Sequence, residues 1–327
     1  MPETRQDAPA RTDTADVTIH DVAREAGVSI ATVSRVLNGS NPVKGATSER
    51  VMAAVERLGY IPHSGARSLI KKETRTLGVL LPDMFGEFFG ELIRGLDQVA
   101  RRRGYALLVT CTHGESSAAE TMLRTMHGKV DGMVLLGSDL ELDAQLLRLL
   151  GRTPTVFLNQ VAGNQAARFD AISVDNHGGA LSMTRYLLGL GHRRIAFIRG
   201  PEHNMDARQR LEGWREAMAA VPGGPDPALE APGDFSEASG YAAACRLLKL
   251  QPRPTAIFAA NDDMAVGALS ALRDQGVRVP EDISLAGFDD IPIVRYLTPA
   301  LTSVRAPIPE LGARAAERLL SIIEAGG

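Results

Sequence analysis

The chain has 327 residues, enough for two or three domains with buried cores, and its hydrophobic fraction of 44% is ordinary for a globular protein. No apolar run approaches the roughly 20 residues that a membrane helix needs, and the polar residues 1–16 lack the apolar stretch of a secretory signal. These features predict a disordered tail over 1–16, no membrane association and a cytoplasmic protein. Cys111 and Cys245 have no CxxC partner and the seven histidines show no ligand spacing, so neither a metal site nor a disulfide framework is expected. The net charge of −3 is unevenly spread: between Val17 and Thr76 nine Lys and Arg face five Asp and Glu, a net +4 against −7 for the remainder. A basic head on an acidic body is what attraction of one domain to phosphate requires.

The head begins at Val17. Thr18 is placed to cap a helix, with Asp21 three residues on as its capping-box partner, and Ile19, Val22, Ala23 and Ala26 form one apolar face. Gly27 supplies a tight turn, and Ser29 caps a second helix whose Val33, Val36 and Leu37 turn inward. Ile30, Ala31, Thr32, Ser34 and Arg35 are left outward or at the helix start. That is the outline of a helix-turn-helix, which lays its second helix in the major groove of DNA. Arg35 has the fork that matches O6 and N7 of guanine, and Ile30 or Ala31 suits a thymine methyl. Thr32, Ser34 and Asn38 suit phosphate oxygens, and Thr18 and Ser29, at the helix starts, join the candidate DNA contacts. The plainer alternative is a small helical hairpin with a polar surface. Against it, Val51, Val55 and Leu58 define a third helix ended by Gly59, completing a domain over 17–61.

Residues 60–76, YIPHSGARSLIKKETRT, start with a Pro and end in a basic polar run, which on composition alone reads as a flexible linker. From Leu77 short apolar runs alternate with amphipathic segments. TLGVLLP, YALLVTC, DGMVLL and PTVFL read as strands, with helices near 87–103, 116–127 and 141–150. The pattern begins again with AISV, RIAFIRG, TAIFAA and ISLAGF. All-apolar strands alternating with helices predict parallel sheets covered on both faces, and two sets predict two lobes.

Ligands of such sheets bind beyond the carboxyl ends of the strands. The candidates there are Asp83, Phe88 and Phe89 after the first strand, Asn159 after the fourth, and Arg208, Phe235, Asn261 and Asp289 in the second lobe. The polar members supply donors and acceptors, and the Phe rings offer faces for a sugar ring or a base. Equally, Asn261 and Asp289 fit as helix caps, and Phe88 and Phe89 as ordinary core. No P-loop, dinucleotide fingerprint, GxSxG or HExxH occurs, and no catalytic constellation is found, so neither an enzyme nor a cofactor is expected.

The segments TIHDVAREAGVSIATVSRVLNGS, LGYIP, ARSL, DNHGGA, LGHRRIAFI, ANDDMAVGAL and ISLAGFDD together resemble the lactose-repressor (LacI/GalR) family of bacterial transcription regulators over almost the whole chain from Val17. The resemblance implies an α/β protein: a three-helix headpiece, a hinge helix over 62–76 and a two-lobed periplasmic-binding-protein-like body over 77–327. The first lobe would take 77–173 plus 305–327, and the second 174–304. In the hinge, Leu69 would wedge into the minor groove, with Ala66 packing beside it and Arg67 and Ser68 near the backbone. His63 and Gly65 depart from the family's usual hinge pattern. Arg208, Asn261 and Asp289 would hold effector hydroxyls and Phe235 would stack.

The function implied is a repressor of a carbohydrate-utilisation operon. It would act as a homodimer on a near-palindromic operator in double-stranded DNA, controlled by a sugar-type effector between the lobes. Relatives usually continue into a further strand; here the chain ends at Gly327 with no leucine-heptad tail, which favours a dimer over a tetramer. A purine-type corepressor regulator, with Phe88 and Phe89 stacking on a base, is the alternative. A transport-type sugar-binding protein, or a sugar-metabolising enzyme with an added head, fits less well.

Overall fold

The computed structural model of the protein describes residues 17–38, 43–60, 73–113, 115–137, 143–159 and 169–326; for Asn38, Ser116 and Ser117 it gives the backbone alone. The expected tail and the hinge residues Ala66, Arg67, Ser68 and Leu69 lie outside the described residues. The chain divides into two compact units, one ending at Thr74 and the other running from Arg75 to Gly327.

The first unit holds α1 (Ile19–Ala26), α2 (Ile30–Asn38) and α3 (Gly45–Leu58). The Thr18 amide donates to Asp21 Oδ2 at 3.0 Å and the Thr18 hydroxyl to the same oxygen at 2.7 Å, tying down the start of α1. Gly27 ends α1 at φ 62°, a left-handed conformation in which a Cβ is strained. Ser29 Oγ accepts from the Thr32 amide at 3.2 Å, capping α2. Val22, Ala23, Ala26, Val33, Val51, Ala54 and Tyr60 are buried together, with Val36, Leu37, Val55 and Leu58 packed on them. The apolar spacing read from the sequence thus becomes a small three-helix core.

The second unit opens with β1 (Thr76–Leu81), α4 (Glu87–Arg102), β2 (Ala106–Cys111), α5 (Ser116–Met126), β3 (Gly132–Leu136), α6 (Ala144–Leu150), β4 (Thr155–Leu158) and β5 (Asp170–Ile172). These five strands form one parallel sheet in the order β2-β1-β3-β4-β5. It continues with α7 (Asn176–Gly189), β6 (Ile195–Ile198), α8 (Met205–Met218), β7 (Glu230–Ala231), α9 (Glu237–Leu247), β8 (Ala256–Ala259), α10 (Asp262–Asp274), β9 (Ser284–Asp289) and β10 (Thr302–Arg305). The second parallel sheet runs β10-β9-β8-β6-β7. The last helix, α11 (Ile308–Glu324), returns to pack on α4 in the first lobe.

Three details differ from the sequence reading. The AISV segment does not open the second set of strands; β5 is the edge of the first sheet, hydrogen-bonded to β4. β7 and β10 were not anticipated, the one being two residues long and the other, TSVR, lacking an apolar run. Ile291 and Val294, within the span assigned to the second lobe, are buried in the first lobe's core, while β9 and β10 on either side belong to the second sheet.

The cores follow from the all-apolar strands. β3, β4, β6 and β8 are buried at every position. Phe197 stacks on Trp214, the chain's single tryptophan, and meets Phe258 edge-on, at centroid separations of 5.7 and 5.2 Å. Each such fully buried Phe side chain contributes roughly 1.5–3 kcal/mol of transfer free energy. That rigid backing holds the strand ends in place.

Candidate functional sites: a DNA-facing helix and an inter-lobe cavity

In the first unit, α2 turns Val33 inward and leaves Ile30, Ala31 and Arg35 exposed, with Thr32 and Ser34 half-buried. Ala31 and Arg35 lie one helical turn apart, so they share a face, with Ser34 beside them. The Ser29 and Thr32 hydroxyls are 2.9 Å apart and serve the helix start, as Thr18 serves the start of α1. An exposed α2 face bearing a guanidinium, a methyl group and hydroxyls is the chemistry that base edges and phosphates accept.

In the second unit, the carboxyl ends of strands from both sheets meet across a cavity of about 370 Å³, within the roughly 300–1,000 Å³ range of small-ligand sites. The first lobe contributes Pro82, Asp83, Phe85, Phe88 and Phe89 beyond β1, His113 beyond β2, Leu136 at the end of β3 and Asn159 beyond β4. The second contributes Pro201, His203, Asn204, Asp206 and Arg210 beyond β6, Asp234, Phe235 and Ser236 beyond β7, Asn261 and Asp263 beyond β8, and Asp289 at the end of β9. Seven of the eight sequence candidates therefore line one space: Asp83, Phe88, Phe89, Asn159, Phe235, Asn261 and Asp289.

Arg208 is the exception and is corrected here. It is exposed on α8, and its guanidinium contacts Met205 Sδ at 3.6 Å. Two residues along a helix is about 200° of rotation, so Arg210 rather than Arg208 faces inward with Asp206. Arg210 is buried and fully engaged. It donates to Asn176 Oδ1 at 2.8 Å, to the Ala260 carbonyl at 2.6 Å and to Asp289 Oδ1 at 3.0 Å, and its guanidinium lies 3.8 Å from the Phe288 ring centroid. Asp206 accepts from Asn176 Nδ2 at 3.0 Å and, across the cleft, from Asn159 Nδ2 at 2.7 Å.

The remaining walls have local causes. Asn261 Oδ1 accepts from the Met264 amide at 3.0 Å and its Nδ2 donates to the Phe235 carbonyl at 3.0 Å, so it caps α10 and lines the cavity at once. Asp289 caps nothing; its partner is Arg210. Phe88 and Phe89 are half-buried and meet edge-on at 5.4 Å, serving core and cavity together. Phe235 sits at φ 73°, a strained setting for an aromatic residue, and its ring approaches Gly200 so closely that a Cβ there would lie 2.6 Å from it. His113, Asn159 and Asp289 also have positive φ, at 51°, 62° and 109°. Backbone strain of this kind concentrates where a fold holds side chains for binding.

Burial drives the electrostatics. Asp289 is pushed up to about 6 by desolvation, against the pull of Arg210. Asp263 is pushed up to about 7, first by burial and then by the like charges of Glu237, Asp289 and Glu87. Asp262, just behind the cavity, is pushed up to about 8 by burial and by Asp289; its carboxylate accepts from the Ile291 amide at 2.9 Å and the Ser303 hydroxyl at 2.6 Å. Asp206, Arg210 and Asp263 are among the lining residues that sequence reasoning missed, as are Phe85, His113, His203, Asn204 and Asp234.

A sequence model described as bacterial regulatory proteins, lacI family, matches residues 18–63, and one described as a periplasmic binding protein-like domain matches residues 184–327. The HTH-type transcriptional repressor CytR of Escherichia coli strain K12 is 38% identical over 304 residues, covering 93% of this chain and 89% of that protein. The ribose operon repressor of the same strain is 38% identical over 310 residues, covering 93% and 92%. The crystal structure of the Lac repressor dimer bound to operator and the anti-inducer ONPF gives a TM-score of 0.81 at 30% identity, covering 94% of this chain and 93% of that one. A helix-turn-helix unit followed by two parallel-sheeted lobes around a cavity is the architecture of a DNA-binding transcription regulator. The chain belongs to the lacI family of bacterial regulatory proteins. Among the described residues no helix is long and apolar enough to cross a membrane.

Proposed function

We propose that the protein represses a carbohydrate-utilisation operon from the cytoplasm, as a homodimer on a near-palindromic operator, under the control of a small sugar-type effector in the inter-lobe cavity. The observation that carries this reading is the Asn159–Asp206 hydrogen bond across a cavity lined with aromatic faces, donors and acceptors from both lobes. A ligand that binds one lobe arrangement better than another shifts their balance by its differential affinity, and the same coupling free energy acts reciprocally on operator binding. Ile30, Ala31 and Arg35 would read base edges, while Thr18, Ser29, Thr32, Ser34 and Asn38 would contact phosphates. Ala66, Arg67 and Leu69 would contact the operator through the hinge. Asp83, Phe88, Phe89, Asn159, Arg210, Phe235, Asn261 and Asp289 would surround the effector.

Two recognition helices are needed because one reads too few bases to single out a genomic site. The four phenylalanines of the cavity, Phe85, Phe88, Phe89 and Phe235, also suit a flat base, which keeps a nucleoside- or purine-type effector as the second reading. Selection of operator from random duplexes, with and without sugars, nucleosides and purines, tests both. A twofold-symmetric consensus whose affinity responds to one of these ligands is the expected result. Absence of any symmetric preference at moderate salt overturns it.

A further inference from the structure

The charges around the cavity are lopsided. Among the described residues, Asp83, Asp206, Asp234, Asp263 and Asp289 line it, against one guanidinium, that of Arg210, which Asp289, Asn176 and the Ala260 carbonyl already occupy. Four of the five carboxylates have donors of their own. Asp206 accepts from Asn159 and Asn176, and Asp289 from Arg210. Asp234 accepts from the Ser236 amide at 2.9 Å, and Asp83 from the Met84 amide at 2.7 Å.

Asp263 differs: no hydrogen bond or ion pair reaches its carboxylate among the described residues. It sits in the first turn of α10, lines the cavity, and extends to the other lobe, where a Cβ on Gly86 would stand 3.0 Å from its Oδ2. Glu237 and Glu87 face it from α9 and α4, and Asp289 from the end of β9, so its surroundings add like charge and no counter-charge. A half-buried carboxylate without a donor is destabilising, and the helix N-terminus offsets this only in part. A ligand N–H group placed there would supply the missing donor as a charge-assisted hydrogen bond, worth about twice a neutral one. A phosphate in the same space would meet carboxylates, and among the described lining residues no uncommitted Arg or Lys stands ready to receive it.

We infer that Asp263 makes the cavity selective for an effector carrying an amino group on a sugar or base ring, and that the cavity rejects phosphorylated ligands. This rests on the effector reading above and refines it. The test uses the full-length protein and pairs of probes in which the amino group of one member is a hydroxyl or a carbonyl (with an added ring N–H in the nucleosides) in the other: glucosamine against glucose, cytidine against uridine, adenosine against inosine. Glucose 6-phosphate and cytidine monophosphate are added. Binding is followed by thermal stabilisation and by the fluorescence of Trp214.

On the scaffold that binds, the amino member should be preferred at least about tenfold, equivalent to about 1.4 kcal/mol. Asp263→Asn should lower that ratio and Asp263→Ala abolish it. Which pair responds tells amino sugar from aminated base. Equal binding within every responsive pair, a ratio unchanged in Asp263→Ala, or tighter binding of a phosphorylated probe overturns the inference while leaving the effector cavity standing. Failure of every probe to bind the wild-type protein overturns the effector reading itself, and this inference with it.

Discussion

Asn159 Nδ2 and Asp206 Oδ2 stand 2.7 Å apart, and the two residues belong to different lobes: Asn159 follows β4 of the first sheet, whereas Asp206 lies in the first turn of α8 beside the second. Both are buried, so the bond is made away from water and ties the lobes where a ligand would touch them. Asn159→Gly removes the donor while tolerating the φ of 62° that Asn159 adopts. Asp206 then loses its hydrogen bond from the other lobe and keeps that from Asn176. Thermal unfolding should show a loss of about 1–3 kcal/mol, and effector titration a weaker affinity. Unchanged values in both would show that the bridge holds nothing together.

Arg210 and Arg208 make a paired test. Arg210→Ala leaves Asp289 as a buried carboxylate without its counter-charge, which costs about 3–5 kcal/mol and should abolish the effector response. Arg208→Ala removes an exposed side chain and should change stability by no more than about 0.5 kcal/mol. Denaturant melts of the two variants decide, and a reversed ranking would return the inward role to Arg208.

Arg35 is exposed on α2 and free of any demand from the core. Arg35→Ala should cost about 1–3 kcal/mol of operator affinity and relax preference at one base pair, with helicity unchanged. Competition binding against single-base operator variants measures it. Equal discrimination by wild type and variant would remove Arg35 from sequence readout.

Asp263 gives the protein a pH signature. Its folded-state pKa of about 7 lies above the ordinary 3.8, so the native state holds this proton more tightly than the unfolded chain does. The associated stability is present in full below about pH 4 and is lost as pH rises through about 7. Asp263→Asn has no such proton to lose, so it should be more stable than wild type above about pH 7, the gap narrowing towards about pH 4. Melting temperatures across that range test the sign. A variant less stable than wild type at every pH would mean that the charged carboxylate has a partner.

Much of this arrangement was legible in the residues. Thr18 with Asp21, Gly27 and Ser29 are local signals, since each acts on a backbone group within a few positions. The predominantly apolar strands were equally plain, because burial on both faces of a parallel sheet favours near-continuous apolar runs. β7 escaped because two residues carry no period, and β10 because Thr302 and Arg305 are exposed at a sheet edge. Asp206 and Arg210 were missed for a different reason: the strand-end rule leads to the start of α8 but does not say which face of that helix turns inward, and Arg208 was chosen from it. A signal existed. Trp214 is the residue on α8 with the most apolar surface to bury, and counting back by four and seven reaches Arg210 and Ala207, never Arg208. The unpaired state of Asp263 had no such signal, because it depends on Gly86, Glu87 and Glu237 arriving from elsewhere in the chain.

The strand-end placement of the cavity residues has an evolutionary corollary. Most side chains that would touch a metabolite are carried at a strand end, in the loop after it or in the first turns of the next helix, and only a few of them, such as Phe88, Phe89 and Leu136, also pack in the apolar layers behind. Substitutions there can exchange one chemical signal for another without disturbing the frame. A single ancestral scaffold can in this way furnish regulators for many nutrients, each differing at a handful of rim positions.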